Sequence, residues 1–275
     1  MLKNNRYFNS YSLPTLNEML IALFVLSIGF LLFNPLHHIH NSISFGNGHA
    51  LRANRRQHLH SDVVVSSPAK VDVIRDASIP PIIGGLAPVI STIPTNEPVV
   101  FLGIDDGATK LQSDVTLMQQ NNIKASLFLA NVFIKDNPQF FEQFQPEGSV
   151  IEDHTLNHPI PFNQLSYSQQ VSEICGQADL EQQEFGKRPI LFRPPGGAYD
   201  TDTQRAAAIC GMKAVVLWIA KANGGSMQYQ VGNSLHPGDI VLMHFRPEFQ
   251  ADLQAFINAQ NAAGLHTELL ENWVQ

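Results

Sequence analysis

A chain of 275 residues with a formal net charge of −7 has room for one sizeable catalytic domain, and its 44% apolar fraction suffices for a core. The charge is uneven: residues 98–275 hold ten Lys/Arg against nineteen Asp/Glu, a net of −9, whereas residues 1–97 hold seven against five, a net of +2. So acidic a segment repels phosphate backbones, which argues against nucleic acid as a partner.

The N-terminus reads as a targeting element. Lys3 and Arg6 precede residues 19–33, fifteen positions without a charge. That length falls between a signal-peptide apolar region of ~7–15 residues and a membrane span of ~20. No small-x-small cleavage site follows, because Asn34-Pro35-Leu36-His37-His38 comes next. Residues 1–33 are therefore expected to be a cytoplasmic tip and membrane anchor, with a cleaved signal as the alternative. The nearest downstream basic residues are Arg52, Arg55 and Arg56. The excess of nearby positive charge on the N-terminal side sends the C-terminal domain outward. The expected location is thus the cell membrane with an extracellular catalytic domain, or secretion. Residues 34–97 hold six of the eleven His, a basic patch at 52–56 and the run Pro80-Pro81-Ile82-Ile83-Gly84-Gly85. They show no sustained period of 3.6 or 2, and an extended linker is expected there.

From 98 to 275 the pattern alternates. Apolar runs at 99–104, 125–130, 149–152, 190–193, 214–219 and 240–244, with a weaker one at 266–270, read as strands. Helical stretches fall at 111–120, 138–144, 166–185, 201–209 and 249–263, with Pro138 at a first-turn position and Gly211 and Gly264 at C-terminal stops. Such alternation implies parallel strands with crossover helices, and the pattern alone also admits a doubly wound sheet. Cys175 and Cys210 fall on two of the helices, either as a disulfide or as two buried thiols.

Four strand ends carry polar residues suited to chemistry. Asp105-Asp106-Gly107 closes the first strand; His154-Thr155-Leu156-Asn157-His158 follows the third; Arg193-Pro194-Pro195-Gly196-Gly197 ends the fourth; His244 ends the sixth. The C-terminal ends of strands are where α/β folds place catalysis. Two imidazoles four apart would share one face of a helical turn. With one carboxylate they make three metal ligands and leave room for water and substrate, while the other carboxylate remains to act as base.

These motifs, in this order, resemble the polysaccharide deacetylases that carry the NodB homology domain. Ile104-Asp105-Asp106 matches the first motif, with Ile where an aromatic is usual; His154 to His158 matches the second, Arg193 to Gly197 the third, and Leu242-Met243-His244 the fifth. The resemblance covers about residues 98–275 and implies a distorted, incomplete (β/α) barrel of parallel strands with outer helices. It implies a metal-dependent hydrolase that removes N-acetyl or O-acetyl groups from a sugar polymer such as peptidoglycan or a chitin-like glycan, acting as a monomer. Asp106, His154 and His158 would hold the metal, zinc first, with cobalt and nickel compatible with the same donors. Asp105 would be the base, Arg193 its orienting partner and His244 the acid for the leaving amine. Pro195, Gly196, Trp218 and Leu242 would line the substrate pocket, with the Gly196 N–H facing the developing oxyanion. A metal hydrolase of a non-sugar amide or ester, or a non-catalytic cell-wall glycan-binding protein, are the alternatives.

Two departures from the pattern stand out. The stretch expected to supply an Asp behind His244, Leu217-Trp218-Ile219-Ala220-Lys221-Ala222-Asn223-Gly224-Gly225, contains no acid. His244 is therefore expected to titrate near the ordinary value of ~6.5 and to be a weak general acid. Gly196 stands where an aromatic is common, which widens the groove.

Overall fold

The computed structural model describes residues 75–274. The expected anchor or signal segment and residues 34–74 of the expected linker lie outside that range. Among the described residues no helix is long and apolar enough to cross a membrane.

In chain order the elements are β1 (Val89–Ile90), β2 (Val99–Asp106), α1 (Gln112–Gln120), β3 (Ser126–Leu129), α2 (Asn131–Ile134), β4 (Val150–Asp153), α3 (Tyr167–Phe185), β5 (Leu191–Phe192), α4 (Thr201–Ile209), β6 (Ala214–Val216), β7 (Ala220–Asn223), β8 (Ser226–Tyr229), β9 (Ile240–His244), α5 (Phe249–Ala262) and β10 (His266–Glu268). They form a single curled sheet in the order β1-β6-β5-β4-β3-β2-β9-β7-β8, with β10 joined to the start of β2. Every pairing is parallel except the β7–β8 hairpin. The terminal strands β1 and β8 do not meet, so the barrel is incomplete, as the sequence resemblance implies.

β2 organises the rest. All eight of its residues are buried, and it is flanked by β3 and β9. Successive side chains alternate between two faces. Val100, Leu102 and Ile104 pack outward with Val115 and Met118 of α1 and with Leu253, Phe256 and Ile257 of α5. Val99 and Phe101 pack inward with Phe128, Leu191, Ile240, Leu270 and Trp273. The same period puts Gly103 and Asp105 next in the inner row.

The expected boundary at 98 falls inside the folded unit. Ile79, Ile90 and Ile93 are buried in the inner cluster, β1 pairs with β6, and the Ile79 N–H donates to the Trp273 carbonyl at 2.8 Å. Residues 75–97 make isolated apolar contacts rather than one long element, which is why no periodic signal marks them. Other differences are local. The strand expected at 214–219 stops at Val216, and 138–144 is a 3-10 helix. After Trp218, where no further element was expected before residue 240, the chain forms the β7–β8 hairpin. Its turn residues Gly224 and Gly225 have φ of 62° and 74°, the left-handed pair that tight hairpins require. Of the two alternatives for the cysteines, the disulfide is present: Cys175 on α3 joins Cys210 just after α4, with Cα atoms 4.9 Å apart. Closing a 35-residue separation restricts the unfolded chain by about 4 kcal/mol in the loop-entropy picture.

Behind the sheet lie buried acids that form no ion pair among the described residues. Asp153 and Glu181 are paired in space, and burial pushes both up, Glu181 to about 8. An acid raised in the folded state binds its proton more tightly there than in the unfolded chain. Its penalty is absent below pH ~4.5 and accumulates as the pH climbs towards 8. Glu181→Gln keeps the bond from Gln177 Nε2 (2.7 Å) and removes the charge. The variant is expected to melt about 2–4 °C above the parent at pH 8, with the gap vanishing by pH 5. A constant gap across that range, read by calorimetry, would show that Glu181 is not the titrating group.

Candidate active site

Asp105 and Asp106 are successive residues, yet both serve one end of the sheet. Asp106 has φ 78° and Gly107 φ 83°, so the chain turns within the last strand residue. Asp is among the few side chains that tolerate this region. The Asp105 Cα is in register with Phe128 on one side and His244 on the other.

His154 and His158 do not share a helical turn as expected. The segment is an irregular loop with Thr155 at φ 78° and His158 at φ 54°, just before Pro159, where the α region is disfavoured. Local bonds hold it open: the Thr155 N–H donates to Asp153 Oδ1 (2.9 Å) and the His158 N–H to Thr155 Oγ1 (3.0 Å). Glu173 of α3 then clamps Asn157, accepting from its backbone N–H at 2.8 Å and its side-chain amide at 2.7 Å.

These turns bring three donors together. One ligand atom each from Asp106, His154 and His158 lies within 4.8 Å of the others. Asp106 Oδ1 is 3.6 Å from His154 Nε2 and 3.2 Å from His158 Nε2. His154 donates from Nδ1–H to the Arg193 carbonyl at 2.6 Å, which fixes the tautomer and leaves Nε2 as a lone-pair donor. The donor set fits a divalent ion of the zinc type. Burial opposes ionisation of Asp106, but its bonds with His154 and His158 win and hold it well below the usual carboxylate range. Burial likewise pushes His154 down, and the charges of Asp105 and Asp106 outweigh it and raise it.

Arg193 is wholly buried beneath this group. Its Nη1 donates to Asp105 Oδ1 at 2.5 Å, its Nε donates to the Val216 carbonyl at 3.2 Å, and its guanidinium stacks 4.1 Å over the Phe128 ring. Sequence reasoning missed what makes the space: a Cβ on Gly103 would overlap the guanidinium nitrogens. A lone glycine inside an apolar strand is itself the signal of such an approach.

His244 sits beside the pair, half-buried and with no side-chain hydrogen bond among the described residues. Its expected ordinary pKa is not what the structure gives: burial, set against Asp105 and Asp106, pushes the imidazole down to about 4. Leu242 is 4% exposed in the same inner row as His244, opposite Gly103. Trp218 is half-buried and packs on Gly197, where a Cβ would lie 2.9 Å from the ring. Gly196 is exposed at φ 67°, whereas Pro195 is buried and shapes the turn instead of facing solvent.

With this geometry in place, the relatives can be compared. The polysaccharide deacetylase family matches residues 92–215. An uncharacterised protein of Streptomyces coelicolor is 37% identical over 195 residues, which is 69% of this chain and 78% of that one. A peptidoglycan-N-acetylglucosamine deacetylase of Bacillus cereus is 30% identical over 162 residues, 55% of this chain and 75% of its own. The chitin deacetylase structure from Colletotrichum lindemuthianum superposes with a TM-score of 0.59 at 19% identity, covering 69% of this chain and 92% of that one. The chain belongs to the polysaccharide deacetylase family, hydrolases that act on carbon–nitrogen bonds.

Two outcomes follow from the geometry. Gly103→Ala is expected to displace Arg193, destabilising the fold by ~1–3 kcal/mol and abolishing turnover while zinc still binds. Wild-type turnover in that variant would show that the Arg193 contact is dispensable. Asp106→Asn is expected to lose the ion and Asp105→Asn to keep it without turnover, read by elemental analysis; equal losses would refute the division between the two carboxylates.

Proposed function

We propose that this protein is a metal-dependent deacetylase of an extracellular acetylated sugar polymer of the peptidoglycan or chitin type. One observation carries the reading: the Asp106–His154–His158 donor group lies directly beside an Asp105 that is ion-paired to buried Arg193. Zinc is the ion we favour, with cobalt or nickel also suited to two imidazoles and a carboxylate.

When bound, a divalent ion there would polarise an amide carbonyl and acidify water. The chain's own residues then divide the work. Arg193 orients Asp105, so that Asp105 Oδ2, 3.7 Å from His154 Nε2, is aimed at the donor group to take a proton. Gly196 N–H is our candidate for the developing oxyanion. Leu242 and Trp218 are our candidates for the walls of the acetyl pocket. His244 faces the leaving group, but at about 4 it enters the reaction neutral at physiological pH.

Export fits the disulfide, which persists in oxidising compartments, and the fifteen charge-free residues ahead of the domain. We take the protein to be a membrane-anchored or secreted monomer.

The test is acetate release from acetylated chito-oligosaccharides and peptidoglycan strands, with and without chelator. Release from neither would overturn the reading. The depressed His244 adds a pH signature. Its protonated fraction falls tenfold per unit above about pH 4, so amide turnover that needs this proton is expected to decline across pH 6–8. An O-acetyl substrate, whose alkoxide leaves more readily, is expected to stay flat and to lose less in His244→Ala. A plateau above pH 8 on the amide would mean that another group supplies the proton.

A further inference from the structure

Arg246 belongs to none of the motifs above, yet it stands at the same rim, two residues beyond His244. Its Nη2 lies 3.4 Å from Asp106 Oδ2, and its side chain is 46% exposed against 8% for Asp106. The neighbouring cations are committed elsewhere. Arg193 is buried against Asp105, and Lys110 donates to the Phe133 carbonyl at 2.8 Å and pairs with Asp136 at 3.0 Å. Arg246 alone of the three leaves half its side chain in solvent.

A guanidinium beside a metal ligand repels the ion that the ligand serves, and a neutral glycan gives no return for it. A substrate anion would, since it is drawn to both cations. Where that anion must lie follows from sugar chemistry. The acetamido nitrogen sits on ring carbon 2, and its immediate neighbour is the oxygen on carbon 3. A carboxylate carried by an ether on that oxygen falls within a few bonds of the reacting carbonyl.

We propose that Arg246 is a specificity-determining residue that pairs with a substrate carboxylate borne beside the acetamido group, so that the site selects muramic-type units over neutral glucosamine units. This rests on the deacetylase reading above. Arginine suits the task because its planar fork matches a carboxylate bidentately.

The experiment uses the zinc-loaded full chain with three substrates: glycan strands bearing free muramic carboxylates, the same strands with those carboxyls converted to methylamides, and chito-oligosaccharides. The parent is expected to show at least tenfold higher kcat/KM on the free carboxylate than on its methylamide. Arg246→Gln is expected to erase that ratio mainly through KM, and Arg246→Lys to restore part of it. Bound zinc, measured in parallel, is expected to stay at one per chain. A parent without preference, or an Arg246→Gln that loses zinc and slows all three substrates equally, would overturn the proposal and leave Arg246 as a support for Asp106. Acetate release from none of the three would instead sink the deacetylase reading itself.

Discussion

The buried Arg193–Asp105 pair is the constraint around which this end of the sheet is arranged. Removing a guanidinium and a carboxylate from water costs several kcal/mol per ion, and only near-complete satisfaction offsets it. Here the offset comes from three directions, the Asp105 carboxylate, the Val216 carbonyl and the face of Phe128, while Nη2 finds no hydrogen-bond partner among the described residues. Each demands something of the sequence. Gly103 must lack a side chain, Phe128 must sit in the inner row of β3, and β6 must end where its carbonyl is free to accept. The same residue reaches further through its backbone, since its carbonyl fixes the His154 tautomer. Strand β2, the His154–His158 loop and the end of β5 are thereby locked into one geometry, and none of them could be repositioned alone.

The loop that carries both imidazoles has no regular structure of its own, so its precision is borrowed. Glu173 lends it from α3 through two bonds to Asn157, and α3 is in turn fastened to the end of α4 by the Cys175–Cys210 bridge. Gly176 belongs to the same arrangement: a side chain there would collide with Leu156, so helix and loop approach more closely than any other residue would allow. The Cys175–Cys210 bridge is therefore linked to the geometry of the donor group by a short chain of contacts rather than to bulk stability alone. Catalytic loops are commonly carried by rigid scaffolds for this reason.

How much of this was legible beforehand follows from the range of each interaction. The strands were readable because burial on both faces leaves continuous apolar runs, and Ile240–His244 is found with the expected limits. Asp106, His154 and His158 were readable as candidates because they stand at strand ends in a known order, and the structure brings their donor atoms together. What escaped depends on pairs distant in sequence. The helical reading of His154 and His158 failed because spacing alone does not reveal that Thr155 and His158 take positive φ. The span from Ile79 to Ile93 was taken as tether because its partners, Trp273 and β6, lie far along the chain. Arg246 carried no signal at all, since a single basic residue after a strand is ordinary until its distance to Asp106 is known.

On the proposal that the substrate carries a carboxylate, the charge arrangement supplies what an acidic domain needs to attract it. Two aspartates meet two arginines here, Asp105 with the buried Arg193 and Asp106 with Arg246 at the rim. With the imidazoles neutral, as ligands must be, these four groups sum to zero. A divalent ion would then leave a local surplus of two positive charges in a segment whose net charge is −9. Fields in a partly buried cleft are set by the nearest groups more than by the whole surface, because distant surface charges are screened over ~8–10 Å. His244 fits the same logic. A carboxylate behind it would add a negative charge and hold a proton on it, whereas the acid-free stretch that forms β7 and the turn after it supplies none, and burial pushes the imidazole down to about 4. In the proposed reaction, the absence of that carboxylate weakens His244 as an acid and, by the same step, removes a charge that would repel an anionic substrate.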